Sequence, residues 1–361
     1  MKHSWRTATL SRGRAAALLG AGAVACCIAG ALGGVSSVWA DAKPAPSGKP
    51  APDAKPTPGT KPAPAAKTTP DGKTAPDAGR WLEPVKVTGK IDGKSLTAAM
   101  LIYVPRGYPA QPAPGGGSAA RSTAGDKKYP LVIALHGWNH SPELFRDKGE
   151  LPRWADTYGV VLAVPAMGTT IYETALYPES KRAWAAVPGT RWVGEVILPY
   201  VRSHYAVWGD RAHTAVIGYS TGGRGAVLLA EAYPEFAFAG SASGTFDLMR
   251  LDPKIGEYKI HAVVLGPRDQ FKDRWELDNC TSPARLAKLA GTQLFIAHSS
   301  QDKSVPPDQL DALRDALKGN PDIKAEFVMA PEGGHTWEYW NGQWGAMFGA
   351  LAKALGLTAA K

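Results

Sequence analysis

The sequence predicts an α/β architecture, a mostly parallel central sheet with helices on both faces, and three observations predict it. From residue 98 onward, short aliphatic runs of strand length alternate with helix-type patterns, the order that builds parallel sheets from crossover units. One such run, Ala215-Val216-Ile217, passes directly through Gly218-Tyr219-Ser220-Thr221-Gly222 into a small-residue helix pattern, Gly225-Ala226-Val227-Leu228-Leu229-Ala230. Two later runs each open into a loop bearing an ionisable side chain, so in a parallel sheet all three loops share one edge.

Taken in order, residues 98–104 read as the first strand and 131–135 as the next. Between them, residues 109–128 are rich in Pro, Gly, Ser and Ala and read as a disordered surface insertion. The strand at 131–135 opens into His136-Gly137-Trp138-Asn139. Residues 160–165 add a strand, and 190–205 a helix that leads to the Ser220 turn. Ser243-Gly244 fall on the strand after it. Residues 248–289 are long for a connection between sheet strands and are expected to form part of a lid or pocket wall. Gln293-Leu294-Phe295-Ile296-Ala297 is then a buried strand, 308–318 a helix, and Ala325-Glu326-Phe327-Val328-Met329 the next strand. Trp138, Trp184, Trp337 and Trp340 lie in or near the loops at this edge. They are expected to pack, with a pocket for an aromatic acyl group or a sugar as the alternative.

The chemistry is concentrated in the loops. A strand, a Gly-x-Ser-x-Gly turn and a helix hold a serine on a tight, strained bend with its hydroxyl clear of the sheet, which makes Ser220 a candidate nucleophile. A serine hydroxyl needs a base, and the base needs a group that fixes its tautomer. The run 293–297 opens into a loop carrying Asp302, and the run 325–329 into Pro331-Glu332-Gly333-Gly334-His335-Thr336-Trp337. His335 is the expected base and Asp302 its orienting acid. Asp269 follows another apolar run, His261-Ala262-Val263-Val264-Leu265-Gly266, and is the rival acid. His298 precedes the Asp302 loop and is expected to be a packed residue at a strand end. The developing oxyanion needs two donors: the expected ones are the backbone N–H of Thr221, at a helix start, and that of Trp138, where Gly137 lets the chain turn inward. His136 reads as a structural hydrogen-bonding residue.

The N-terminal part bears on location. In residues 1–40 a positive stretch with Lys2, Arg6, Arg12 and Arg14 precedes an apolar Ala/Gly-rich segment and Val38-Trp39-Ala40, the pattern of a secretory leader. The expected product is exported, periplasmic or secreted, with the leader cleaved or kept as an anchor. Residues 41–79 repeat Lys-Pro-Ala-Pro and Asp-Ala/Gly-Lys units and read as a disordered linker, partly polyproline. Its six lysines outnumber four aspartates, which suggests contact with an anionic cell envelope as the alternative to a plain spacer. With leader and linker set aside, the formal net charge of +9 falls to +3, and no basic stripe or stacking platform argues for nucleic acid. Beyond the leader Cys280 is the one remaining cysteine, which excludes an intrachain disulfide there and reads as buried. No Cys/His cluster has metal-ligand spacing, so neither metal nor cofactor is expected. From residue 80 about 280 residues remain, enough for one α/β domain.

From about residue 98 to 355 the chain resembles the esterase D-like "putative esterase" group of α/β-hydrolases, which includes S-formylglutathione hydrolases, feruloyl and acetylxylan esterases and mycolyltransferases. The resemblance is carried by Leu135-His136-Gly137, the doubled glycine of Gly218-to-Gly223, Ser243-Gly244, Gly333-Gly334-His335-Thr336-Trp337, and the lead-in Val193-Gly194-Glu195-Val196-Ile197-Leu198-Pro199-Tyr200-Val201. It implies the α/β-hydrolase fold, with Ser220 as nucleophile, Asp302 as acid and His335 as base. Members often have Met or Ala where this chain has Thr221, and many carry a second glycine after His-Gly where it has Trp138. The implied activity is hydrolysis of a small-molecule or polysaccharide-linked carboxylic ester. Acyl transfer to a sugar or lipid hydroxyl is one alternative, and a non-catalytic envelope-binding protein on the same scaffold is another.

Overall fold

The computed structural model describes residues 78–109 and 127–360. The leader read at 1–40, all but the end of the linker read at 41–79, and nearly all of the insertion read at 109–128 lie outside the described residues.

The described residues form one sheet. Its strands are β1 (Arg80–Trp81), β2 (Val85–Ile91), β3 (Lys94–Val104), β4 (Leu131–Leu135), β5 (Val161–Pro165), β6 (Thr214–Tyr219), β7 (Phe238–Ala242), β8 (Gln293–Ser299) and β9 (Lys324–Ala330). They lie in the order β1-β3-β5-β4-β6-β7-β8-β9, with β2 paired to β3. Every pairing from β5 through β9 is parallel. The sequence explains the division. Strands β4, β5, β6 and β7 are buried along their whole length and read as unbroken apolar or small runs, as strands covered on both faces must. In β2, Val87 and Ile91 are buried while Lys86, Thr88 and Lys90 face water, the alternation of a half-covered antiparallel strand.

The strand expected at 98–104 starts earlier, at Lys94, because it is one arm of a hairpin with β2. Asp92 and Gly93 make the turn with φ of 49° and 76°, both left-handed, as a two-residue hairpin matched to strand twist requires. The helix expected at 190–205 is present but not uniform: Gly189–Arg191 leads into a π-helical turn, Trp192–Ile197, and then Leu198–His204. Within that turn Gly194 lies against the Tyr233 ring, so close that a Cβ would come within 2.3 Å of it.

Side-chain alternation along the strands sorts the core into two layers. Leu131, Ile133, Leu135, Val216, Leu294 and Ile296 pack on one face with residues of the helices Thr221–Ala232 and Asp308–Leu317. Val132, Ala134, Ile217, Phe238 and Phe295 pack on the other with Leu151–Tyr158 and Trp337–Leu355. Cys280 is buried. A third, smaller cluster joins Leu248, Leu251, Val264, Leu265 and Trp275 to Ile171, and Trp138 packs against it. The long connection between β7 and β8 thus covers the loop that follows β4.

Candidate active site

Ser220 links β6 to the helix Thr221–Ala232, and its φ of 56° and ψ of −129° lie outside the ordinary regions for an L-residue. The bend persists because its surroundings over-determine it. Ser220 N–H donates to Ala242 O at 2.8 Å, and the amides of Gly223 and Arg224 donate back to Ser220 O. A Cβ on Gly218 would come within 2.3 Å of Gly222 O, and one on Gly222 within 2.1 Å of Leu135 O. Only glycine permits that approach of β6, the helix start and the end of β4.

Asp302 stands in the loop after β8. Its Oδ1 accepts from the Ser304 and Val305 amides at 2.9 Å each, and its Oδ2 accepts from His335 Nδ1 at 2.7 Å. Burial alone would push this carboxyl up. Hydrogen bonds from His298 and His335, the His335 charge and the Val305 amide outweigh it and hold the group well below the usual carboxylate range. His335 follows Gly333 and Gly334, both at positive φ, and the Gly334 amide donates to Ser299 Oγ at 3.0 Å. Thr336 then caps the helix Trp337–Leu355 by accepting from Tyr339 N–H. With Nδ1–H given to Asp302, His335 Nε2 is left to accept from Ser220 Oγ, 3.0 Å away. The structure therefore brings Ser220, His335 and Asp302 into one unbroken hydrogen-bond relay.

Both expected oxyanion donors border the same serine. Thr221 is the first residue of its helix, so its N–H has no intrahelical acceptor and lies at the positive end of the helix dipole. A Cβ on Gly137 would meet Ser220 Cβ at 3.1 Å, which puts the backbone of the 136–139 loop against Ser220. Bonds from His140 N–H to Gly137 O and from Asn139 N–H to Gly168 O fix that loop on either side of the Trp138 amide.

The rival residues fall elsewhere. Asp269 lines a cavity of about 490 Å³ with Met249, Pro253, Tyr258, Arg268 and Lys272, and it belongs to no relay. The apolar run before it is a helix, Gly256–Leu265, not a strand that delivers a loop to the sheet edge. His298 is buried, with Nε2 at 3.2 Å from Val305 O and 3.4 Å from Asp302 Oδ2, and so stands behind Asp302. His136 is structural: its Nδ1 donates to Gly137 O, its Nε2 accepts from Met167 N–H, and burial pushes its pKa down to about 4. Of the tryptophans, Trp340 meets His335 edge-on at 5.1 Å, and Trp337 packs on Trp340 at 5.3 Å. Trp184 packs on Trp192 instead, away from the relay.

Sequence reasoning missed three groups near this site. His140 Nδ1 lies 2.9 Å from the Tyr219 hydroxyl. Glu257, from the connection between β7 and β8, is buried and accepts from Thr245 Oγ1 at 2.5 Å. Its carboxyl is pushed up by burial, with His335 and Asp302 both within electrostatic reach. Only Tyr219 had a positional signal, as the variable residue of the Gly-x-Ser turn.

The family described as "Putative esterase" matches residues 120–351. The chain is 27% identical over 158 residues to the diacylglycerol acyltransferase/mycolyltransferase Ag85B of Mycobacterium leprae (strain TN), an alignment covering 37% of this chain and 47% of that protein. It thus spans about half the length of this relative. Among solved structures, an S-formylglutathione hydrolase from Agrobacterium tumefaciens superposes with a TM-score of 0.59 at 16% identity, over 79% of this chain and 98% of that one. A ferulic acid esterase superposes with a TM-score of 0.56 at 18% identity, over 77% and 99%. At these identities the likeness is one of fold, the α/β-hydrolase fold. Since the family match extends from before β4 to near the end of the last helix, the chain belongs to the "Putative esterase" family.

Proposed function

We propose that this enzyme hydrolyses carboxylic esters through an acyl-enzyme on Ser220, with His335 as general base and acid and Asp302 as its orienting partner. Ser220 Oγ attacks the ester carbonyl while its proton passes to His335 Nε2, and the carbonyl π electrons move onto oxygen. The Thr221 and Trp138 amides donate to that oxyanion. Asp302 holds the imidazole tautomer and stabilises its cation. When the tetrahedral species collapses, the bond to the alcohol oxygen breaks and His335 returns its proton to that oxygen. A water then repeats the sequence on the acyl-enzyme and releases the acid and free Ser220. The observation that supports this reading best is the relay itself, 2.7 Å and 3.0 Å long, ending on a serine held at positive φ. The test is turnover of p-nitrophenyl esters, acetate to long chain, by wild type and Ser220→Ala. Loss of all turnover in the variant supports the reading, and retained turnover contradicts it.

The same acyl-enzyme can pass its acyl group to a hydroxyl other than water. The name of the Mycobacterium leprae relative, an acyltransferase, favours keeping this second reading. What decides is whether water is kept from the acyl-enzyme. Adding a sugar or glycerol acceptor to the ester assay separates the two, since a transferase yields the new ester in preference to free acid. The proposed location is outside the cytoplasm, supported by the leader pattern of residues 1–40. The linker lysines are proposed to touch anionic envelope polymer, and deletion of 41–79 without loss of envelope retention would rule that out.

A further inference from the structure

We propose that His140 is a specificity-determining residue of this site: its Nε2–H donates to a second oxygen on the alcohol being released, so that esters of vicinal diols are preferred to esters of simple alkyl alcohols. The proposal rests on the acyl-enzyme reading above and adds a residue which that mechanism leaves unused.

Position comes first. Gly137 separates the nucleophile from this imidazole: a Cβ there would meet Ser220 Cβ at 3.1 Å, Tyr219 Cε2 at 3.1 Å and His140 Nδ1 at 3.4 Å. The ring is therefore a neighbour of the nucleophile across a single glycine. Its backbone is held as well, since the His140 amide donates to Gly137 O at 3.1 Å.

The hydrogen-bond chain then sets the tautomer. Burial pushes the Tyr219 phenol up, so the hydroxyl keeps its proton. In the proposed arrangement that hydroxyl gives its hydrogen to His140 Nδ1, 2.9 Å away. In that arrangement the neutral ring carries its proton on Nε2. Burial first, and the nearby His335 imidazole whenever it is protonated, push the His140 pKa down, which keeps the ring neutral. Among the described residues Nε2 meets no partner, and the ring is only partly covered, so this N–H faces open space.

Direction comes from the aromatic wall. Tyr219 packs on Trp337 at 4.8 Å and on Trp340 at 4.3 Å, and Trp340 meets His335 edge-on at 5.1 Å. His140 and His335 thus stand at the two ends of one wall. The departing oxygen must sit at His335 Nε2 to take its proton. An alcohol that continues from there along the wall brings its next oxygen to His140, and a donor there rewards a hydroxyl and gains nothing from a methylene.

A matched pair of substrates tests this: 2,3-dihydroxypropyl butyrate and propyl butyrate, with kcat/KM measured for each on wild type, His140→Phe, His140→Gln and Tyr219→Phe. Wild type is expected to favour the diol ester. The diol-to-propyl ratio is expected to fall about tenfold in His140→Phe, which keeps a ring but no donor, and to stay within about twofold of wild type in His140→Gln, which keeps an N–H. Tyr219→Phe, which frees the tautomer, should lower the ratio part of the way. A wild-type ratio at or below one overturns the proposal whatever the variants do, and so does a ratio indifferent to His140→Phe. If wild type hydrolyses neither ester and a fluorophosphonate does not label Ser220, the acyl-enzyme reading fails and takes this proposal with it. Hydrolysis of both esters with an indifferent ratio sinks this proposal alone.

Discussion

Asp302 shows at the scale of one residue how the fold sets up chemistry. Two amides and two imidazoles surround its carboxylate, and together they outweigh the cost of burial. Asp302→Asn would keep the shape and lose the acceptor that fixes Nδ1–H on His335. The expected result is a fall in kcat of about 10⁴-fold with KM little changed, and a fall below about tenfold would mean that Asp302 does not orient His335. Gly222 carries a steric prediction. Its Cβ would lie 2.1 Å from Leu135 O and 2.7 Å from His136 O, whereas one on Gly209 would meet nothing within 4 Å. Gly222→Ala should cost roughly 3 kcal/mol or more, or prevent folding, while Gly209→Ala leaves Tm nearly unchanged; equal melting curves would contradict this. Ser220, Asp302 and His335 were legible in the sequence because each leaves the end of a recognisable strand. Asp269 was a credible rival because a short apolar run such as His261-Ala262-Val263-Val264-Leu265 reads equally as strand or buried helix. His140 and Glu257 were not legible, since their partners are set by the folded loops and by no spacing rule.

At the scale of elements, the helix after Ser220 is buried from Thr221 to Glu231, including its charged residues. Arg224 Nη2 donates to Asp278 O at 2.6 Å. Glu231 lies 3.6 Å from Arg285, yet neither of its carboxylate oxygens has a hydrogen-bond partner among the described residues. Burial dominates over the arginines and pushes its pKa up to about 8. The folded chain then holds a proton that the unfolded chain releases at the ordinary carboxylate pKa, so this group's contribution to stability falls as pH rises from there to about 8. Glu231→Gln should therefore raise Tm more at alkaline than at mildly acidic pH. A Tm gain that is the same at both, or larger in acid, would show that Glu231 is ionised in the fold. The hairpin of β2 and β3 is an element the sequence did carry but that went unread: Asp92-Gly93 between alternating strands is a direct turn signal. The π-helical turn at Trp192–Ile197 had no such signal, because a widened turn depends on neighbours such as the Tyr233 ring.

For the molecule as a whole, the candidate site follows from where the parallel strands end. Strands β4, β6, β8 and β9 all run the same way, so the Trp138 amide, Ser220, Asp302 and His335 emerge at one edge without any of them being near another in sequence. Among the described residues both core layers are built from Trp81 onward, so removing residues 1–77 should leave kcat/KM within about twofold, and an unfolded or inactive product would contradict that. Mostly parallel topology was legible from the alternation of strand and helix patterns, whereas the packing of the 248–289 connection on Trp138 depends on contacts that periodicity does not encode. The central claim is that Ser220 becomes acylated. The most direct measurement is rapid mixing with p-nitrophenyl butyrate, acid quench, and mass analysis of the intact protein and its peptides. The expected result is a burst of p-nitrophenol matched by a butyryl group on the peptide bearing Ser220, both absent in Ser220→Ala. Steady turnover with no adduct on that peptide, or turnover that survives in the variant, would contradict it.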